Sequence, residues 1–169
     1  YYALVTGPGS FTGLRFSLAA IQAFAWYCQK PVITLCPFEA SAHAFWMESA
    51  DKRVVCVGDA RMGEVYFAEY GTEHGLLETY TPIALTPLAH CAPQGETGVV
   101  LTTPALLAEV SAHFSSGWQV VPFPLRPSSE ALVALTKGAI QTRKFGDVHQ
   151  ISARYFRGRE AWKPSIVKT

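Results

Sequence analysis

Hydrophobic and polar positions along this chain fall into segments of two periods. A short apolar run, Tyr2 to Val5, leads into a glycine-rich loop, and the loop opens onto a helical pattern over Thr12–Cys28. In that pattern Leu14, Leu18, Ile21 and Ala25 share one face, while Phe16, Ala20, Phe24 and Tyr27 share another. From Leu14 onward its polar side chains are Arg15, Ser17 and Gln22, with the polar tips of Trp26 and Tyr27. A surface helix carries one apolar stripe, so this helix is expected to be covered on nearly all sides. Ala19, Ala20 and Ala23 leave room for a second backbone, from this chain or from another subunit.

Gln29-Lys30-Pro31 ends the helix, and Val32–Cys36 has the continuous apolar character of a buried strand. Strand, helix and strand in this order form a parallel crossover, which places the first part of the chain in the α/β class. Pro37 sets up a helix over Phe38–Ser49. Arg53–Gly58 and Glu64–Tyr70 flank a turn at Asp59–Gly63 and predict a β-hairpin, with a third antiparallel strand at Leu76–Tyr80 after a turn at Gly71–Gly75. Pro82 to Gly98 is punctuated by proline and glycine and has room for a short helix at Pro87–Cys91.

Farther on, the pattern predicts a strand at Val99–Leu101, a helix at Pro104–Phe114, a strand at Gln119–Val121 and a proline-rich connector at Pro122–Pro127. A helix near Ser129–Arg143 has Ser128 or Ser129 as its cap and Gly146 near its stop; it is expected to return to the first domain. The rest, Ile151 to Thr169, is expected to be mostly extended. The division implied is residues 1–52 for the first α/β domain, 53–127 for a second, and 128–169 for a C-terminal helix and tail. Two parallel strands do not make a stable sheet alone. The start of the first domain is therefore expected to be supplied elsewhere or cut away.

Composition sharpens this picture in two ways. The chain is 49% hydrophobic and only 16% charged, which leans toward an assembled or truncated chain rather than a solitary one. Its net charge of +1 hides an asymmetry. Residues 1–136 hold six Lys and Arg against eleven Asp and Glu, whereas residues 137–169 hold eight against two. The basic end has phosphates, an acidic partner surface, intramolecular pairs or solvent open to it. No apolar run has the length of a membrane span and no signal peptide is evident. The four cysteines, at 28, 36, 56 and 91, lack C-x-x-C spacing and are expected to be reduced core thiols of a cytoplasmic protein.

Candidate chemistry is sparse. Gly7, Gly9, Ser10, Thr12 and Gly13 form a strand–loop–helix turn whose amides favour an anion, with Ser10 or Thr12 as helix cap. The spacing matches neither G-x-x-x-x-G-K-[ST] nor G-x-G-x-x-G, so a plain turn, a nucleotide or anion loop and a partner-contact loop stay open. Ser10 follows Gly9 directly and so misses the G-x-S-x-G elbow, which leaves a triad with His43 and Asp59 conceivable but poorly matched. His43 lies among alanines and aromatics, where a packed role outweighs that of a base. The five histidines form no H-x-x-x-H or H-E-x-x-H pair, and no metal site is expected. Asp59, Arg61 and Glu64 form the densest charged cluster in an apolar region; a turn held by local bonds and a functional contact both remain open.

Two loops taken together carry a resemblance. Gly7-Pro8-Gly9-Ser10-Phe11-Thr12-Gly13-Leu14-Arg15, followed by Asp59-Ala60-Arg61-Met62-Gly63-Glu64-Val65-Tyr66, resembles the bacterial TsaB family, also called YeaZ and once labelled glycoproteases. The ending Tyr155-Phe156-Arg157 and Ala161-Trp162-Lys163-Pro164 is similar to that family's close. The resemblance implies paired α/β domains of the actin, Hsp70 and sugar-kinase (ribonuclease H-like) kind. Here the first would be truncated, because the family's opening strand with its Asp-Thr motif and its first interface helix have no counterpart in these residues.

It also implies a non-enzymatic partner of a TsaD-like enzyme, acting with a TsaE-like ATPase in threonylcarbamoylation of the adenosine beside the anticodon of ANN-reading tRNAs. On the same implication the chain forms a homodimer when alone and meets tRNA through the complex. No cofactor is expected, with weak ATP or ADP binding only in the complete protein or complex. The family pairs through helices of its first domain, which marks Leu14, Phe16, Ala19, Ala20, Ala23, Phe24 and Tyr27 as interface candidates. Two other classes remain as alternatives: an enzyme using the Gly7–Gly13 loop for a nucleotide or acyl group, and a nucleic-acid binder using the basic tail. Tyr155, Phe156, Arg157, Arg159 and Trp162 have the aromatic-and-basic mixture that the tail reading needs.

Overall fold

The structure is a computed structural model that describes residues 1–49, 53–73, 76–114 and 116–156. Two strands, β1 (Tyr2–Val5) and β2 (Val32–Leu35), pair in parallel with Leu4 opposite Thr34, joined by the long helix α1 (Phe11–Cys28). After β2 comes α2 (Pro37–Glu48), started by Pro37 at its first position and stiffened by a Ser41 hydroxyl that donates to the Pro37 carbonyl at 2.9 Å. A second sheet follows in the order β5-β4-β3-β6-β7. Its strands are β3 (Arg53–Arg61), β4 (Glu64–Glu73), β5 (Leu76–Pro87), β6 (Gly98–Thr102) and β7 (Trp118–Pro122).

The antiparallel ribbon β3–β4–β5 and the parallel set β3–β6–β7 meet at β3, so β3 is the centre of the sheet and its stretch Val54 to Val57 is wholly buried. Such a strand needs apolar residues on both faces, which is why it lacks alternation. One face packs against α2, where Cys36, Phe38 and Ala42 join Cys56, Ala68, Tyr70 and Leu101 in a single core. On the other face Val55, Val57, Phe67 and Val100 pack with Trp118 and with Val110 of α3 (Leu107–His113). The small sheet has its own core of Leu4, Val32, Ala25 and Ile151. Helix α4 (Ser129–Gln141) is capped by the Ser128 hydroxyl, which accepts from the Ala131 amide at 3.1 Å, and it packs on α2 and β2.

Several expected elements are longer or differently wound. The third ribbon strand runs on to Pro87, through the stretch expected to be broken by prolines, because Pro82 and Pro87 sit on an edge strand where a missing donor costs little. The short helix expected at Pro87–Cys91 is a single 3₁₀ turn at Leu88–His90. The helix expected from Pro104 begins as a 3₁₀ turn, Pro104–Leu106, before α3. Gly146 does not stop α4, whose cap is Thr142; instead its amide and carbonyl exchange hydrogen bonds with Val32 at 2.9 and 3.1 Å and extend the small sheet by one bridge. Part of the expected Gly71–Gly75 turn, and all of Arg157, Gly158, Arg159 and Ala161–Pro164, lie outside the described residues.

Candidate functional site

Helix α1 departs most from expectation. Ala25 is its sole buried residue; Leu18 and Ile21 are half-buried against β1 and the segment around Val148, and Leu14 is half-buried against the Gly7 and Gly9 turn, through the stripe foreseen for the inner face. The opposite face is open. Phe16 is 76% exposed, Phe24 58% and Tyr27 81%. Ala19 and Ala23 are exposed between them, whereas Ala20 is half-buried. All-round coverage is therefore not observed within the described residues: a sheet of two strands is wide enough for one stripe of the helix and no more.

The glycine loop has its polar capacity turned inward at several points. The Ser10 hydroxyl accepts from the Gly13 amide at 3.3 Å and its carbonyl from the Leu14 amide at 2.8 Å, so Ser10 caps α1 and Thr12 lies inside the helix. Gly7 has φ of +115°, which a side chain would strain, and a Cβ there would come within 3.2 Å of the Arg154 carbonyl. Residues 154–156 lie across this loop. The Arg154 amide donates to the Thr6 carbonyl at 2.9 Å. Tyr155 and Phe11 flank Arg15, and Phe156 meets the ring of Tyr66 at 5.4 Å. Three motifs far apart in sequence are thereby joined, and the aromatic content of the Tyr155-Phe156 pair was the signal for it.

The charged turn is a tight one. Asp59 accepts from the Arg61 amide at 2.6 Å, and Arg61, Met62 and Gly63 all take positive φ. Arg61 stands opposite Glu64 in register, and Met62 at the tip is 77% exposed. His43 is half-buried edge-on to Trp46, with burial lowering its pKa. Burial also drives the thiol of Cys56 and the phenol of Tyr70 upward, and pushes Cys91 up to about 11. Among the described residues no group of three or more His, Cys, Asp or Glu is placed to hold a metal, and no helix is long and apolar enough to cross a membrane.

One buried charge was not foreseen. Glu69 is fully buried, ion-paired to Arg53 at 2.7 Å, and accepts from the Gln94 amide at 2.9 Å. Its position within the alternating Val65, Phe67 series was the only available signal. The pair pins the loop before β6 to the sheet.

Comparison with known proteins settles the family. The model for "TsaD: tRNA N6-adenosine threonylcarbamoyltransferase" matches residues 2–103. The Escherichia coli K12 protein described as tRNA threonylcarbamoyladenosine biosynthesis protein TsaB is 28% identical over 93% of this chain and 70% of its own length. The chain belongs to this TsaD-related family, in its TsaB (YeaZ) branch. A TsaB protein of Haemophilus influenzae is 41% identical over 63 residues, 37% of this chain and 27% of that protein. The structure of YeaZ from Pseudomonas aeruginosa superposes with a TM-score of 0.79 at 25% identity, covering 90% of this chain and 72% of that one. The α/β architecture described above is thus that of the TsaB/YeaZ group, of actin- and sugar-kinase-like type.

Proposed function

We propose that this chain is a non-catalytic, TsaB-type subunit that docks a TsaD-like enzyme through the open face of α1. The observation that carries the reading is the row Phe16, Ala19, Ala23, Phe24 and Tyr27, exposed on a helix whose other face already has its sheet. Burying each large ring is worth about 1.5–3 kcal/mol, and the alanines between them permit close helix approach. Leu14 and Ala20 contribute from the margin. The chemistry served is threonylcarbamoylation of the adenosine beside the anticodon of ANN-reading tRNAs, with a TsaE-like ATPase and the tRNA entering through the complex. Alone, the same face pairs with a second copy of the chain.

In this reading residues 1–52 are the docking domain, 53–127 a second domain, and 128–169 the return helix and tail. The Gly7–Gly13 loop serves as a rigid turn and anchor, with any ATP or ADP held by the assembled complex. Asp59, Arg61 and Glu64 shape the hairpin tip. The bonds of Ser10 to the backbone of Gly13 and Leu14 support a structural role for this serine.

Arg placed singly at positions 19, 20 and 23 tests the assignment by the mass of the complex with a TsaD-like enzyme in solution. Ala19→Arg and Ala23→Arg are expected to weaken docking by about 100-fold or more, through an unpaired charge in an apolar seam, with an unchanged far-ultraviolet circular dichroism spectrum. Ala20→Arg should also lower the stability of the chain itself, since that residue is half-buried. Full-strength docking by all three folded variants would make α1 an ordinary surface helix.

A further inference from the structure

Beside the exposed row on α1 lies a second surface with different chemistry. Two clefts, of about 490 and 520 Å³, open on either side of the segment 143–149 and share Phe145 and Gly146 in their walls. The first runs between Trp26 at the end of α1, Lys30 and His149; the second runs past Arg143, Lys144 and Arg154. Sharing that wall, the two clefts adjoin at the Phe145 ring and form a groove in two parts. Phe145 is 38% exposed and braced edge-on by Tyr1 at 5.1 Å, and Trp26 on the first wall is 63% exposed. The Gly146–Val32 bonds fix the shared wall to the small sheet, so the ring is held in place rather than carried on a free loop.

Charge narrows the occupant. Lys30, Arg143, Lys144 and Arg154 face the groove against two carboxylates, Asp147 and Glu39. One oxygen of Asp147 is engaged by the His149 amide at 2.8 Å, and Glu39 is drawn back into the fold, where burial raises its pKa against the opposing pull of Lys144 and Arg154. The excess is positive, and it lies beside two partly exposed rings.

We propose that this groove binds single-stranded nucleic acid, with bases stacked on Phe145 and Trp26 and phosphates held by Lys30, Arg143, Lys144 and Arg154. An exposed ring in a cleft needs a partner with a free π-face; bases in a duplex already spend theirs on each other, whereas unpaired bases offer them. Cations in both parts of the groove suit a strand whose phosphates pass on either side of a stacked base. The site borders the apolar row on α1, where Trp26 and Ala23 line one hollow, so it is tested on the chain without a docked partner.

Fluorescence anisotropy of the whole chain with a labelled oligouridylate of about ten nucleotides tests the groove. Binding is expected to weaken steeply between about 50 and 200 mM salt. Phe145→Ala should weaken it by roughly tenfold with the salt slope kept, while Phe145→Trp restores it. The double change Arg143→Glu with Lys144→Glu should abolish binding while the far-ultraviolet circular dichroism spectrum of the chain is kept. A duplex of the same length, inorganic polyphosphate and polyglutamate should all compete poorly. No binding of the oligouridylate, equal binding by the folded Phe145→Ala variant, or equal competition by polyphosphate or polyglutamate would each overturn the proposal.

Discussion

The side chain of Arg15, one turn into α1, donates from Nε to the hydroxyl of Tyr155 at 3.1 Å, a contact that spans 140 residues of sequence. The guanidinium also lies 3.8 Å from the centre of the Phe11 ring, and Phe11 and Tyr155 tilt toward each other at 5.7 Å. With Arg154 bonded to Thr6 and Phe156 on Tyr66, three consecutive residues hold the glycine loop, helix α1 and the ribbon together.

Tyr155→Ala is therefore expected to lower the unfolding free energy by about 1 kcal/mol, the scale of one exposed cation–π and hydrogen-bond contact. Tyr155→Phe keeps the ring and should lose about half of that. Urea unfolding of the three proteins measures both. Equal stabilities would mean that the strap lies on the loop without holding it.

The Arg53–Glu69 pair should show the asymmetry of buried charge. Arg53→Met leaves the fully buried Glu69 carboxylate without its cation and is expected to cost about 2–4 kcal/mol, tempered because Arg53 is 34% exposed. Arg53→Met with Glu69→Met removes the stranded charge and should cost less than Arg53→Met alone. Denaturant titration of the single and double variants decides the sign; a costlier double variant would show that the bonds from Glu69 to the Gln94 amide and the Thr81 hydroxyl matter more than the charge.

Acid sensitivity is expected at His43. Its Nδ1 is buried without a hydrogen-bond partner, and burial holds its pKa below the usual value near 6.5. On acidification the unfolded chain takes up this proton before the folded one does, so stability present above pH of about 6.5 is lost as the pH falls through that value toward the folded pKa. Replacing His43 with Leu should flatten the fall in unfolding free energy between about pH 7 and pH 5. An identical pH slope in wild type and variant would show that the imidazole protonates equally well in both states.

Much of the architecture follows from local pattern. The apolar run Val54–Val57 could sit only in the middle of a sheet, the alternation from Glu64 to Tyr70 only on a ribbon, and Pro37 and Ser128 only at helix starts, because these preferences act within a few residues. The family was legible too, in the pairing of the Gly7–Arg15 and Asp59–Tyr66 stretches. Tertiary structure decided what depends on neighbours distant in sequence. Whether Pro82 and Pro87 break a strand turned on their lying at a sheet edge, and whether Glu69 is buried turned on Arg53 and Gln94 arriving beside it. The apolar helix α1 shows the same limit from the other side. Its residues state that both faces prefer to leave water, but only the width of a two-stranded sheet determines that Leu18 and Ile21 are partly covered while Phe16 and Tyr27 stay open. Hydrophobicity is a property of each side chain; coverage is a property of what the rest of the chain brings to it.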